Sequence, residues 1–303
     1  MGKLEKLLMS NWQRPFGKTG LTVSALGFGA GGIGDVVMTE REVETLLNAV
    51  LDSGISLIDT ARSYALSEER IGKYLHHRRK EFVLSTKVGY GIDGYEDWTG
   101  PCVSAGIDEA LRRLQTDYID IVHLHSCSQE ILDQGDVIEA LLNAVASGKV
   151  RVAAYSGDNE PLEWGVDSGK FGSIQTSINL CDQCVIDGAL VEAQKRRLGV
   201  IAKRPVANAP WRFSDRPTGG SVAVYWERWK AMGLDPGPFD WPELALRFVA
   251  FLPGVHSCIV GTRRIEHLRA NVEAVAKGPL PTEMIEAIRS AFREHDNEWS
   301  GLT

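Results

Sequence analysis

Positive charge is the scarcer sign in this chain: 33 lysines and arginines stand against 40 aspartates and glutamates, a formal net charge of −7. An acidic protein gains little from polyphosphate or anionic lipid, so neither nucleic acid nor membrane is an expected partner. Cysteine is scarce as well. Five in 303 residues, an odd number in a chain of this length, exclude a disulfide framework and suit a reducing cytoplasm. Cys181 and Cys184 make one CxxC pair; without a second pair, a nearby histidine or an iron-sulfur-like run, they read as ordinary thiols and no metal site is expected. No apolar run is long enough to span a bilayer. The opening residues MGKLEKLLMSNWQRP lack a secretory apolar segment and carry Lys6 where a myristoylation motif needs Ser or Thr. Also missing is a GxGxxG turn after any strand-like segment, so the phosphate cradle of a Rossmann domain is not expected, and GAGG at 29–32 is only a loop. These absences leave a cytoplasmic protein with a small-molecule partner.

What is present is an alternation. Short β-branched segments at 24–30, 55–60, 82–88, 119–125, 150–156, 173–179, 199–205 and 256–261 are separated by amphipathic ones, with no linker or low-complexity tract. Eight such units predict a (β/α)8 barrel formed by residues 1–303 as one domain. Most of the strand segments are continuous apolar runs, as burial on both faces requires. Val43, Leu46, Leu47, Val50 and Leu51 fall at helical spacing, with a Thr39/Glu42 capping box before them and Gly54 after. Ile107, Ala110, Leu111 and Leu114 repeat the pattern, as do Val137, Ile138, Leu141, Leu142 and Val145. The segment RPFGKTGLTVS, with Gly17 and Gly20, predicts a hairpin that plugs the barrel floor. Two connections are long, 89–101 with Tyr90, Tyr95 and Trp98, and 206–240 with Trp211, Phe213, Tyr225, Trp226, Trp229 and Phe239. Both belong to the catalytic rim, where their rings suit either a substrate lid or a small apolar cluster under the loop.

Asp59, Lys87 and His125 close three successive strand segments, and Tyr64 follows Asp59 by one turn. Singly, each has a structural explanation: a carboxylate satisfying amides, a packed tyrosine, a solvated lysine, a hydrogen-bonded histidine. On a barrel they converge at the C-terminal rim. A tyrosine acid, a lysine favouring its phenolate, an aspartate holding the lysine and a histidine aiming the substrate make a proton-transfer site suited to carbonyl chemistry.

These residues resemble the pattern of the aldo-keto reductases. Asp59-Thr60-Ala61, Tyr64, Ser67-Glu68, Ile71-Gly72, Ser85-Thr86-Lys87 and Asp120 through His125 stand in that family's order, and the likeness runs from GLTVSALGFGAGG to IVGTRRIEHLRANVEAV. The resemblance implies Tyr64 as general acid, Lys87 lowering its pKa, Asp59 pairing with Lys87 and His125 orienting the carbonyl. It implies an extended nicotinamide cofactor along the rim, with Ser156 and Gln175 at its carboxamide and Gly261, Thr262, Arg263, His267 and Asn271 around the adenosine phosphate. A helix start flanked by Arg263 and Arg264 is an anion site on physical grounds and favours NADP over NAD, which remains possible. Three positions depart from the pattern: Gly157 replaces a frequent Asn, Lys203 a frequent stacking Tyr, and Ala270 a frequent Glu. Lys203 and Arg204 are placed to meet the cofactor pyrophosphate or an anionic substrate, with a neutral aldehyde, ketone or sugar preferred. Trp98 and Trp211 are the expected substrate walls. Two other classes compete, a Schiff-base lyase or aldolase using Lys87 and a non-catalytic regulator on the same barrel. Nothing marks an oligomer interface.

Overall fold

The computed structural model describes residues 12–303. Residues 1–11, on which the leader and myristoylation readings rest, lie outside the described residues.

The first two described strands make a hairpin, β1 (Gln13–Pro15) pairing antiparallel with β2 (Thr22–Ser24), and its turn uses left-handed backbone at Gly17 and Gly20. Eight further strands follow: β3 (Leu26–Gly29), β4 (Leu57–Asp59), β5 (Val83–Val88), β6 (Ile119–His125), β7 (Val150–Ser156), β8 (Ser173–Ser177), β9 (Gly199–Lys203) and β10 (Ser257–Val260). They close a barrel in chain order, all parallel, with β10 returning to β3. Each of the eight strand segments read from sequence contains one of them.

Burial explains the apolar runs. All six residues of β5 are buried, because barrel strands face side chains inside and helices outside. The helix Glu40–Asp52 starts at the Thr39/Glu42 capping box, buries Val43, Leu46, Leu47, Val50 and Leu51, and gives way to Gly54 at φ 83°. Inside the barrel a separate apolar cluster joins Phe16, Leu21 and Val23 of the hairpin to Leu57, Val83 and Ile121. The first two of those partners begin their strands, so the hairpin does plug the N-terminal floor. A Cβ on Gly199 would stand 2.4 Å from the Phe16 ring, which is why the plug meets glycine there.

With the floor closed, the opposite end holds the loops. The 206–240 connection is more ordered than its sequence suggests, since Gly220–Met232 is a helix that buries Tyr225, Arg228 and Met232. Trp226 and Trp229 on its other faces hide the apolar stripe that would have marked it. Among the described residues no helix is long and apolar enough to cross a membrane.

Candidate active site

Parallel pairing sets the site by register. Asp59, the last residue of β4, lies beside Ser85, and Lys87 lies beside His123 of β6. Lys87 Nζ donates to Asp59 Oδ2 at 2.6 Å and to the Thr60 carbonyl at 2.9 Å. Asp59 Oδ1 accepts from Ser85 Oγ at 2.8 Å and from Gln175 Nε2 at 3.0 Å, so the buried carboxylate is fully engaged. Burial disfavours charge on Asp59, but Lys87, with help from its hydrogen-bond partners, outweighs that and holds the carboxyl below the usual range. The same balance runs the other way for Lys87. Burial pushes its ammonium down, Asp59 and Tyr64 push harder, and its pKa ends above the ordinary lysine value. The Tyr64 ring centre is 5.2 Å from Lys87 Nζ, reached by a tight turn in which the Tyr64 amide donates to the Ala61 carbonyl.

His125 faces Tyr64 edge to face, ring centres 6.4 Å apart. Desolvation lowers its pKa to about 4, so the imidazole is neutral at physiological pH. Two residues at this centre escaped the sequence reading. His123, two residues before His125 and therefore on the same face of β6, is buried with its pKa lowered to about 3 by desolvation, and its Nε2 meets Ser85 Oγ at 3.1 Å. Tyr90, foreseen only as a loop aromatic, places its hydroxyl 2.9 Å from His125 Nδ1. The alternation in IVHLH was the available signal for the first; no local pattern signals the second.

A cleft of about 280 Å³ opens here, its lining including Tyr64, Lys87, His125, Ser156, Gln175 and Gly261. Gly29, Gly31 and Gly32 form one wall as bare backbone, with Gly31 beside the Tyr64 ring. Ser156 Oγ donates to Gln175 Oε1 at 3.3 Å, fixing that amide. Gly157 has a physical reason: a Cβ there would lie 2.6 Å from the Tyr155 ring, whose hydroxyl is held by the Cys127 carbonyl at 2.7 Å. Lys203 and Arg204 line the cleft but are engaged by the protein. Lys203 pairs with buried Asp158 at 2.9 Å, and Arg204 donates to the Leu302 carbonyl at 2.6 Å, which helps bring Thr303 to the cleft wall.

Beyond Gly261 a second cavity, of about 510 Å³, lies against the start of the helix Ile265–Ala276, and its lining includes Arg41, Arg263 and Arg264 together with Glu42 and Glu266. Arg263 is tethered to Asp35 at 3.0 Å, while Thr262 Oγ1 accepts from the Arg264 amide and shapes the turn. His267 is exposed and Asn271 half-buried on that helix; neither lines the cavity, and Ala270 beside them is exposed. Trp98 and Trp211 do not line the central cleft. Trp98 leans on Tyr90, ring centres 5.4 Å apart, and Trp211 stacks on Trp241 at 5.8 Å.

The aldo/keto reductase family description matches residues 25–293. An L-galactose dehydrogenase of Arabidopsis thaliana is 33% identical over 288 residues, 87% of this chain and 88% of that one. A D-threo-aldose 1-dehydrogenase of a Pseudomonas species is also 33% identical, over 88% of this chain and 94% of its own. Among solved structures, the holo form of aldo-keto reductase AKR11C1 from Bacillus halodurans superposes with a TM-score of 0.80 at 28% identity, covering 92% of this chain and 95% of that one. A family match over most of the chain, on an eight-stranded parallel barrel, makes this protein an oxidoreductase of the aldo/keto reductase family.

Proposed function

We propose that the protein interconverts a neutral, hydroxyl-bearing carbonyl compound, an aldose or similar aldehyde or ketone, and its alcohol or lactone with NADP(H). The observation that carries the reading is the buried Lys87–Asp59 pair set beside Tyr64 with a neutral His125 opposite. Tyr64 gives its proton to the carbonyl oxygen in reduction and takes it back in oxidation. Lys87 stabilises the phenolate left behind, since an adjacent cation favours the charged form. Asp59 keeps Lys87 charged and in place, and His125 hydrogen-bonds the carbonyl oxygen. The Asp59 pairing also disfavours the Schiff-base alternative, which needs a neutral amine.

A nicotinamide cofactor supplies or accepts the hydride when bound. The residues present fit one: a trough of bare glycine backbone, Ser156 and Gln175 for a carboxamide, and a helix start with Arg263 and Arg264 for phosphate. Two exposed arginines at that helix start, Arg263 with Asp35 at 3.0 Å and Arg264 with Glu266 at 3.8 Å, support NADP over NAD. The substrate preference rests on the uncharged polar side chains that line the cleft, Tyr64, His125, Ser126, Ser156 and Gln175, while Trp98 and Trp211 are turned to other rings and Lys203 and Arg204 are committed to protein partners. Two relatives named for sugar substrates point the same way.

The test is turnover across aldoses and simple carbonyls with either cofactor. Tyr64→Phe is expected to lose about 10²–10⁴ in rate with cofactor affinity nearly unchanged, and wild-type turnover in that variant would sink the proton assignment. Replacing Arg263 and Arg264 by alanine should weaken NADPH binding by about 1–3 kcal/mol and leave NADH little changed in a fluorescence titration.

A further inference from the structure

A neutral imidazole carries one proton, and which nitrogen holds it decides whether His125 can donate to a carbonyl oxygen or only repel it. His125 lines the cleft, and the hydrogen-bond partner of its Nδ1 is the Tyr90 hydroxyl at 2.9 Å. That hydroxyl has one proton and two neighbours, the second being Ser63 Oγ at 3.2 Å. An imidazole nitrogen is the stronger acceptor and is the nearer, while Ser63 has a proton of its own to return to the tyrosine oxygen. We infer that Tyr90 donates to Nδ1 and thereby holds His125 as the tautomer with its proton on Nε2, directed at the substrate oxygen.

The surroundings of Tyr90 are built to hold it there. Its ring stacks on the His125 ring, centres 5.5 Å apart and planes 24° from parallel, and Trp98 braces it from behind. Trp98 is itself constrained, with φ 61° and its amide bonded to the Gly89 carbonyl at 2.6 Å. Gly89 cannot be replaced without disturbing this arrangement, because a Cβ would fall 2.1 Å from the Trp98 ring. Tyr90 is thus a positioning residue acting through His125, and the long loop after β5 supplies part of the site's orientation in place of a substrate wall.

The inference rests on the proposed role of His125, so its test includes a measurement that needs no turnover. Nitrogen-15 spectra of histidine-labelled, cofactor-free protein report the tautomer, the His125 signals being identified by their loss in His125→Gln. Wild type should show the proton on Nε2. Tyr90→Phe keeps the ring and its stacking but removes the donor; it should give a mixture of tautomers and a fall in kcat of about tenfold, the 1.4 kcal/mol scale of one hydrogen bond, with NADPH affinity unchanged. A proton on Nδ1 in wild type, an undiminished Nε2 tautomer in Tyr90→Phe, or undiminished turnover in that variant overturns the assignment. Failure of the broader functional reading looks different: Tyr64→Phe would then retain turnover whatever tautomer His125 adopts.

Discussion

Two lysine–aspartate pairs sit on the same rim of the barrel, both lysines lining one cleft, and the two ammonium groups shift in opposite directions. In the first, Lys87 and Asp59 meet at 2.6 Å with side chains only 3% and 2% exposed; in the second, Lys203 and Asp158 meet at 2.9 Å with 14% and 0%. Burial works against the charge of each lysine. For Lys87 it is overcome, because the groups facing its ammonium are Asp59, the Thr60 carbonyl and Tyr64. For Lys203 burial wins and the pKa falls below the ordinary lysine value, with Arg204 and Lys87 as neighbouring cations adding to the loss. The partner residue type does not decide the direction of the shift; the balance of everything else facing the ammonium does. That difference assigns the two lysines different work. In the proposed mechanism Lys87 is the cation beside the Tyr64 hydroxyl, whereas Lys203 anchors Asp158, whose other oxygen secures Thr176 and the Ser177 amide.

The comparison breaks most sharply at the first pair. Lys87→Met should reduce turnover by at least the 10²–10⁴ expected of a lost acid-base partner and cost about 3–5 kcal/mol of stability by leaving Asp59 buried without its cation. Adding Asp59→Asn should return most of the stability and none of the rate. Denaturant unfolding and kcat measured on the same preparations separate the two effects, and a double variant with restored turnover would remove Lys87 from the chemistry.

The second pair should respond more mildly. Lys203 is the more exposed lysine and burial already outweighs the attraction of Asp158, so Lys203→Met is expected to cost only about 1–3 kcal/mol of stability. Kinetics on matched substrates, one neutral and one bearing an added carboxylate, sharpen the contrast. With Lys203 committed to Asp158, the carboxylate should bring less than a tenfold gain in kcat/KM, about 1.4 kcal/mol, in both wild type and variant. A larger gain that disappears in Lys203→Met would make this lysine a substrate anchor.

How far the sequence foretold these pairs follows from the distances involved. The eight strands, the floor hairpin and Asp59, Lys87 and His125 at strand ends were legible because apolar runs and strand-terminal polar residues are local signals. The Ser85 and Gln175 contacts to Asp59 depend on barrel register and on closure across the interior, between residues 26 and 116 positions apart, and nothing local encodes them. The same holds for Lys203 and Asp158, which stand on different barrel units. Trp98 and Trp211 were placed on the right loops, but a ring's direction is set by what it packs against, here Tyr90 and Trp241. The closing residues WSGLT carry no recognisable pattern, yet Asn159, Ser177 and Arg204 draw Gly301 and Leu302 back over the rim.

The smallest expected effect is also the most direct reading of the comparison, because the two lysines should bend the alkaline stability profile in opposite senses. Stability rises with pH wherever the unfolded chain binds more protons than the native one. Lys203, with its native pKa below the ordinary value of 10.5, loses its proton first in the folded state, so the cost of burying its charge lifts as pH climbs toward 10.5. Lys87, with its native pKa above that value, contributes stability in full below 10.5 and loses it as pH rises further through the native pKa. Urea unfolding at intervals from pH 8 upward, with each variant compared to wild type at the same pH, isolates each lysine from the other titrating groups. Wild type should gain on Lys203→Met as pH approaches 10.5, whereas Lys87→Met should recover ground on wild type only above it. Parallel profiles for the two variants would mean that both ammonium groups experience the same balance, and the distinction between a catalytic cation and a structural anchor would fail.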